Sequence, residues 1–260
     1  MTPRRKRRLV LTVAGLCVLV AAAVVTVLLI IRPSGEQRPA TLVIPEGHRA
    51  TQVYAAIDKA LGEPAGTTKK AAKKGARDGT LGLPRQAHGN PEGYLFPATY
   101  PVDRNTTPSS LLSYMVNTAK ERIPDAHAGA YETVVVASLV QAEADTPEDM
   151  AKVARVIDNR LDQHKPLEFD STINYALGRS TLTTTHADTR LDSPYNTYRH
   201  KGLPPTPVNN PGEHALRAAA NPPKGDWLYF VTVKPGDTRF STTYAQHEKH
   251  VREFNREQGN

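Results

Sequence analysis

Runs of apolar residues with two different spacings divide the chain into predicted helices and strands. Helical spacing predicts helices over Ala50–Leu61, Thr67–Arg77, Pro108–Ile123, Thr133–Glu143, Pro147–Gln163, Thr172–Leu177, Glu213–Ala220 and Tyr244–Arg256. Short runs rich in β-branched and aromatic residues predict strands over Thr41–Ile44, Trp227–Val233 and Thr238–Ser241. Residues 164–212 are otherwise irregular, and a loop region this long in a compact domain is usually functional or disordered. Since helices and strands are segregated, the predicted fold class is α+β.

The N-terminus predicts a single membrane span. Leu9–Ile31 is an uncharged, apolar stretch of a length that crosses a bilayer, and the basic cluster Arg4–Arg8 precedes it. Basic flanks stay on the cytoplasmic side, so we expect a single-pass anchor in the cell membrane with an extracytoplasmic remainder. A cleaved signal peptide fits less well because the apolar run is too long. Lipidation at Cys17 is also disfavoured, because Leu16 precedes it and the apolar run continues beyond it.

Charge and cysteine content narrow the classes of function. Arg4–Arg8 supply five of the seven net positive charges, so the remainder of the chain carries only about +2 and gives no indication of nucleic-acid binding. The single cysteine lies inside the predicted span, so the exported part has no disulfide. The spacing of His247 and His250 is one residue short of a zincin motif, and we predict neither a metal nor a cofactor. Serine-hydrolase and phosphate-loop motifs are absent.

Composition divides the chain into four parts. Residues 1–31 are the basic tail and anchor, 32–40 a polar linker, 41–90 a small module, and 91–260 the larger α+β domain. The turn-rich segment 89–94 marks the last boundary. Lysines and Arg77 on the helix over Thr67–Arg77 form a basic face, which is either solvated or in contact with anionic wall polymer or lipid.

Glu143 is the candidate catalytic residue. It ends an otherwise apolar helix and shares a face with Val136, Leu139 and Val140, so its carboxyl is expected to point with the buried residues. Desolvation and the carbonyl end of the helix would both keep it protonated, as a general acid requires. The alternative is a helix-end glutamate paired with a nearby arginine or lysine.

Three loop segments could line a saccharide groove. Pro91–Tyr100 is either a rigid apolar connector or a surface whose tyrosines stack on sugars and whose acid accepts hydroxyl hydrogen bonds. Ser193–Tyr198 places an amide between two phenols, or forms an Asx turn. Gly202–Gly212 is a stiff wall whose asparagines either cap the next helix or reach the ligand.

Taken together, these residues resemble the endolytic murein transglycosylase, or YceG-like, family. The matching stretches are Glu92–Tyr100, Ala137–Glu143, Asn159–Leu161, Leu167–Gly178, Ser193–Tyr198, Gly202–Pro205, Asn210–Gly212, Leu228–Val231 and Phe240–Ser241 with His247. The resemblance covers roughly residues 41–255 in family order. It implies a LysM-like module over 41–90 and a YceG-like catalytic domain over 91–260.

The resemblance implies cleavage of the β-1,4 bond between N-acetylmuramic acid and N-acetylglucosamine, with a 1,6-anhydro product. Peptidoglycan glycan strands and the cell membrane are the implied partners, with peptidoglycan synthases as further ones. Glu143 is the implied catalytic acid and base. Together with the groove segments, the resemblance indicates substrate contacts from Glu92, Tyr94, Glu168, Asp170, Thr172, Tyr175, Tyr195, Asn196, Tyr198 and Asn210.

Two other functions remain open beside the one that the resemblance implies. The chain also departs from the family pattern at two positions: Gln141 stands where the family often has a first acid, and Thr238 stands where the family tends to have histidine. A hydrolytic muramidase would use Asp170 or Glu168 as its second carboxylate. A non-catalytic wall-binding scaffold is supported by the small module and the basic face, and an exposed, salt-bridged Glu143 would support it too.

Overall fold

The computed structural model describes residues 40–124, 129–179, 184–234 and 236–257. The predicted span over Leu9–Ile31, the basic tail and nearly all of the linker lie outside these residues. Within the described part of the chain, no helix has the length and apolarity needed to cross a membrane. Residues 41–260 form one compact unit.

The described residues form eight α-helices and four short strands. The helices are α1 (Ala50–Leu61), α2 (Thr67–Arg77), α3 (Pro108–Arg122), α4 (Ala130–Glu143), α5 (Pro147–Asp162), α6 (Asp170–Ala176), α7 (Glu213–Ala220) and α8 (Tyr244–Glu257). The strands are β1 (Ala40–Val43), β2 (Thr99–Val102), β3 (Tyr229–Lys234) and β4 (Asp237–Ser241). They make two separate two-stranded sheets, β1–β2 and antiparallel β3–β4. The predicted α+β class is confirmed.

The hairpin β3–β4 and the helix that follows it form one wall of the larger part of the fold. Phe230 pairs with Phe240 across the hairpin, and Tyr229 pairs with Ser241. A bulge between Thr232 and Lys234 shifts the register near the turn. Helix α8 packs on β3, so the aromatic side chains of this strand are held against the helix.

Helix α4 is the centre of the core. Residues 133–140 are buried all round the helix, which packs against α5 and α7. The expected single buried stripe is therefore wrong for this stretch, because neighbours cover every face. The helix emerges only in its last turn, where Ala142 is exposed and Glu143 is partly buried. Glu143 therefore reaches a cavity because it lies at the end of the helix, and not because it belongs to a buried face.

Helix α5 begins as its sequence predicts. Thr146 caps the helix by accepting a hydrogen bond from the Asp149 backbone N–H at 3.2 Å, and Pro147 occupies the first turn. Its inner face buries Met150, Val153 and Ile157. Helix α5 contacts α4, and its last turn brings Arg160 to the same cavity as Glu143.

Residues 41–90 share one core with the residues that follow. Ile44, Val53 and Ile57 belong to the same buried cluster as Leu112 and Leu139. The sheet β1–β2 joins the two parts through a strand over 99–102 that the sequence did not predict. The boundary near residue 90 and the LysM-like character of 41–90 stay predictions.

Candidate active site

A cavity of about 390 Å³ lies at the end of α4. It is lined by Glu143, Arg160, Leu167, Glu168, Phe169, Asp170, Tyr198, Tyr229, Phe230 and His247. These residues come from α4, α5, the segment leading into α6, the first residue of α6, the loop before α7, the strand β3 and the helix α8. The cavity therefore gathers side chains that lie up to about a hundred positions apart in the sequence.

Glu143 is the acid whose environment favours its protonated form. Burial, with a smaller contribution from the neighbouring Asp170 carboxylate, raises its pKa from the usual 4.5 to about 7. The backbone N–H and the hydroxyl of Ser171 oppose this shift by favouring the anion. The Ser171 hydroxyl has more influence on this pKa than the Ser171 N–H has, although it forms no hydrogen bond of standard geometry. A carboxyl with a pKa near 7 can both give and take a proton at neutral pH.

Asp170 and Tyr198 form a short pair beside Glu143. The Tyr198 hydroxyl donates to Asp170 Oδ1 at 2.6 Å. Burial and this hydrogen bond raise the pKa of the Tyr198 phenol, so it remains a donor. Asp170 stands at the first position of α6, where the helix dipole favours a carboxylate.

Arg160 fixes the segment that carries the remaining acid. Its Nη1 donates to Glu168 Oε2 at 2.9 Å and to the carbonyls of Pro166 and Leu167. Its guanidinium also lies 5.2 Å from the centre of the Tyr229 ring. Glu168 itself has a left-handed backbone with φ +59°, a conformation that costs energy in a non-glycine residue and that recurs at functional sites.

Aromatic rings form the opposite wall of the cavity. Phe169 and Phe230 approach with ring centres 6.0 Å apart, and His247 stacks on Tyr229 at 5.3 Å. Burial and the nearby Arg160 lower the pKa of His247, which keeps the ring neutral. Sequence reasoning missed Arg160, Tyr229, Phe230 and His247 as site residues. The only sequence signal for these four residues was that they lie in or beside stretches that resemble the YceG-like family, because residue spacing does not show that they come together.

Only some of the predicted substrate contacts reach this cavity. Glu143, Glu168, Asp170 and Tyr198 line it. Thr172 is buried, and its hydroxyl pairs with that of Thr197 at 3.0 Å. Through this hydrogen bond Thr172 stabilises the loop before α7.

The polar network around Glu92 lies away from the cavity. Glu92 is 4% exposed, and its Oε1 accepts from the Ala50 N–H at 2.8 Å and from the Asn210 amide at 3.1 Å. Tyr175 donates to its other oxygen at 3.3 Å. Burial raises the pKa of Glu92 to about 7. Asn210 is fully buried and also accepts from the Leu95 N–H. This network ties the start of α1 to the loop before α7.

The other groove segments also use their polar atoms internally. Tyr94 is 2% exposed, which fits a rigid apolar connector. The Asn196 side chain accepts from the Tyr198 N–H at 3.0 Å, an Asx-type turn, and donates to two loop carbonyls. Tyr195 hydrogen-bonds to Thr206 and packs on Tyr175 with ring centres 5.0 Å apart.

The two departures from the family pattern lie outside the cavity lining. Gln141 Oε1 accepts from the Gly212 N–H at 2.9 Å, which fastens the end of α4 to the start of α7. Thr238 pairs with Thr232 across the β-hairpin at 3.1 Å. Neither residue is among those that line the cavity with Glu143.

The fold and the cavity define a class of protein in which an α+β domain places a glutamic acid of raised pKa in a cavity lined by carboxylates and aromatic rings. The chain belongs to the YceG-like family, whose model matches residues 21–253. It is 37% identical over 166 residues to an endolytic murein transglycosylase of Bacillus subtilis, an alignment covering 61% of this chain and 46% of that protein. It is 32% identical over 244 residues to one of Streptococcus pneumoniae, covering 82% and 44%. The chain spans a little under half the length of these relatives.

A solved structure shares the fold. The crystal structure of a YceG-like protein from Listeria monocytogenes superposes with a TM-score of 0.73 at 28% sequence identity. The superposition covers 81% of this chain and 75% of the other.

Proposed function

We propose that this protein is a membrane-anchored endolytic lytic transglycosylase that cleaves peptidoglycan glycan strands. The observation that carries the proposal is Glu143, which lines a groove-like cavity with a pKa raised to about 7. The names of the Bacillus and Streptococcus relatives support the same reaction class.

In the proposed reaction, Glu143 protonates the oxygen between N-acetylmuramic acid and N-acetylglucosamine as the bond from C1 to that oxygen breaks. The C6 hydroxyl of the muramic residue attacks C1, and the Glu143 carboxylate takes the hydroxyl proton. Glu143 ends the cycle protonated, and the product carries a 1,6-anhydro ring. Because the nucleophile belongs to the substrate, one protein carboxylate is enough, and the intramolecular attack gains from proximity.

The other cavity residues have supporting roles in this proposal. The Asp170 carboxylate, held by Tyr198, raises the Glu143 pKa and faces the positive charge that develops at C1. The rings of Tyr229 and Phe230 offer apolar faces to the sugars. Glu92, Tyr94, Thr172, Asn196 and Asn210 act indirectly, since each is buried and shapes the surrounding loops.

A hydrolytic muramidase is the second candidate, and the shared cavity of Glu143 and Asp170 is the observation that favours it. Asp170 would then activate a water molecule. The short bond from Tyr198 occupies one Asp170 oxygen, which leaves fewer lone pairs to bind a water molecule and favours the lytic reaction. A non-catalytic scaffold is least supported, because Glu143 has no salt-bridge partner among the described residues.

The test is cleavage of purified glycan strands by the full chain, with product ends identified by mass spectrometry. We expect products whose ends are lighter by one water than a reducing sugar, and no cleavage by Glu143→Gln with its fold intact. Free reducing ends would favour the muramidase. Equal cleavage by wild type and Glu143→Gln would refute a catalytic role for Glu143.

The anchor and the protein partners are part of the same proposal. The uncharged stretch Leu9–Ile31 would hold the catalytic domain at the outer face of the cell membrane, close to newly made strands. Association with peptidoglycan synthases is implied by the resemblance alone.

A further inference from the structure

A second cavity, of about 370 Å³, adjoins the end of α4. Its lining includes His48, Gln52, Gln141, Ala142, Ser171 and Asn209. Gln141 and Ala142 directly precede Glu143 in α4, and Ser171 directly follows Asp170 in α6. The ends of these two helices therefore separate the second cavity from the one that contains Glu143. A strand that crosses Glu143 can reach both.

Unsatisfied polar atoms concentrate at these two cavities. Within the described ranges, five side-chain atoms are shielded from solvent without a hydrogen-bond partner. Three of them, His48 Nδ1, Ser171 Oγ and Asn209 Oδ1, belong to residues that line the second cavity, and His247 Nδ1 belongs to the first. Only Thr184 Oγ1 lies elsewhere. A buried polar atom left unpaired costs roughly 1–3 kcal/mol, so such a cluster indicates a place where a bound molecule supplies the partners.

The orientation of Asn209 is fixed by the core. Asn209 is 5% exposed, and its Nδ2 donates to the Ser138 carbonyl at 2.8 Å. Its unpaired atom must then be the carbonyl oxygen, which can only accept. His48 and Ser171 are held by no side-chain hydrogen bond of standard geometry, so rotation towards the cavity breaks none.

The lining also contains two charged residues, Glu46 and Arg49. Gln141 uses its Oε1 to accept from Gly212, which leaves its NH₂ as a donor. Arg49 donates to the carbonyls of Asn174 and Arg179 and lies 5.3 Å from the centre of the Tyr175 ring. Uncharged donors and acceptors therefore lie beside the Glu46 carboxylate in this cavity. This set matches the N–H and C=O of a secondary amide better than a carboxylate, which Glu46 would repel.

We propose that the second cavity is a substrate subsite that binds a secondary amide of the glycan strand next to the bond broken at Glu143. This inference rests on the proposed function for its substrate. Two amides of such a strand fit: the acetamido group of a sugar and the first peptide bond of the stem on muramic acid. His48 and Ser171, whose side chains can rotate towards the cavity, supply the hydrogen bonds.

The test measures binding in the full chain carrying Glu143→Gln, so that strands are bound without being cut. Calorimetry compares this protein with versions that also carry His48→Phe, His48→Asn or Thr184→Val. Thr184→Val is the matched control, because it removes an unpaired hydroxyl away from both cavities. Each protein is titrated with stem-bearing strands, with strands stripped of stems by an amidase, and with N-deacetylated strands.

We expect His48→Phe to weaken binding of stem-bearing strands about 3- to 10-fold, the loss of one net hydrogen bond. His48→Asn and Thr184→Val should stay within about twofold. The melting temperature of His48→Phe should be unchanged or higher, because no hydrogen bond is lost. A penalty that vanishes on stripped strands identifies the stem amide, and one that vanishes only on N-deacetylated strands identifies the acetamido group.

Unchanged binding of His48→Phe to all strands overturns the subsite, and so does the absence of measurable binding by the Glu143→Gln protein. If His48→Phe does not fold, Ser171→Ala is subjected to the same comparison and the same criteria. Wild-type protein that fails to cut strands, together with a His48→Phe binding penalty, would refute the lytic function and leave the subsite standing.

Discussion

Replacing Arg160 tests whether the cavity wall is built as described. Arg160 is 8% exposed, and its guanidinium donates to the carbonyls of Leu228, Pro166 and Leu167 and to the Glu168 carboxylate, at 2.8 to 3.0 Å. Arg160→Met keeps the apolar stem and removes every donor. Three carbonyls then lose their partner at about 1 kcal/mol each. The half-exposed Glu168 adds less than a buried ion pair would.

The expected loss is therefore about 3–4 kcal/mol of the free energy of unfolding. Urea unfolding of the full chain in detergent micelles, followed by far-UV circular dichroism, measures it. Arg155→Met is the matched control, because Arg155 lies on the same helix and donates to the Pro222 and Pro223 carbonyls in a more exposed setting. It should lose about 1 kcal/mol. A loss below about 1 kcal/mol for Arg160→Met, or equal losses for both variants, would refute the reasoning.

Three further predictions concern Glu143, Asn210 and Thr238. The folded-state pKa of Glu143 is raised from 4.5 to about 7, so its contribution to stability is complete below pH 4.5 and is lost as the pH rises through 7. Glu143→Gln should therefore gain up to about 3 kcal/mol relative to wild type between pH 4.5 and 8 in urea unfolding, and a flat difference would contradict the shift. Asn210→Ala should lower the free energy of unfolding by about 2–3 kcal/mol, because the three hydrogen bonds of the Asn210 side chain are lost. A melting temperature within about 2 °C of the wild-type value would argue against this prediction. Thr238→His should leave strand cleavage within about twofold, since Thr238 lies outside the cavity lining, and a larger change in the initial rate would show that it acts there.

Much of the fold is readable from local signals. Helices α1 and α2 lie where spacing placed them, and the Thr146–Pro147 start of α5 follows from capping chemistry. Strand β2 was missed because its partner β1 is more than fifty residues away and Pro101 obscures the pattern. Strand pairing between segments so far apart in the chain is not visible in the local sequence pattern.

The sequence singled out Glu143 as the acid of the candidate site, but it indicated few of the residues that line the cavity around it. Glu143 stood out because an acid ending an apolar helix is unusual, and its raised pKa comes chiefly from burial, as expected. The helix-end contribution expected beside it stays a prediction. Arg160 and His247 reach the cavity only through tertiary packing of α5 and α8, which no spacing rule encodes. Asn210 was predicted to contact the ligand because the sequence does not show whether an asparagine is buried or exposed.

The central claim is that the Glu143 carboxyl keeps its proton up to neutral pH in the folded protein. The most direct measurement is the ¹³C chemical shift of glutamate carboxyl carbons in the labelled full chain across a pH titration, with the Glu143→Gln spectrum assigning the signal. A midpoint near 7 is the result that burial predicts. A midpoint near 4.5, the value of an ordinary glutamate, would contradict the account.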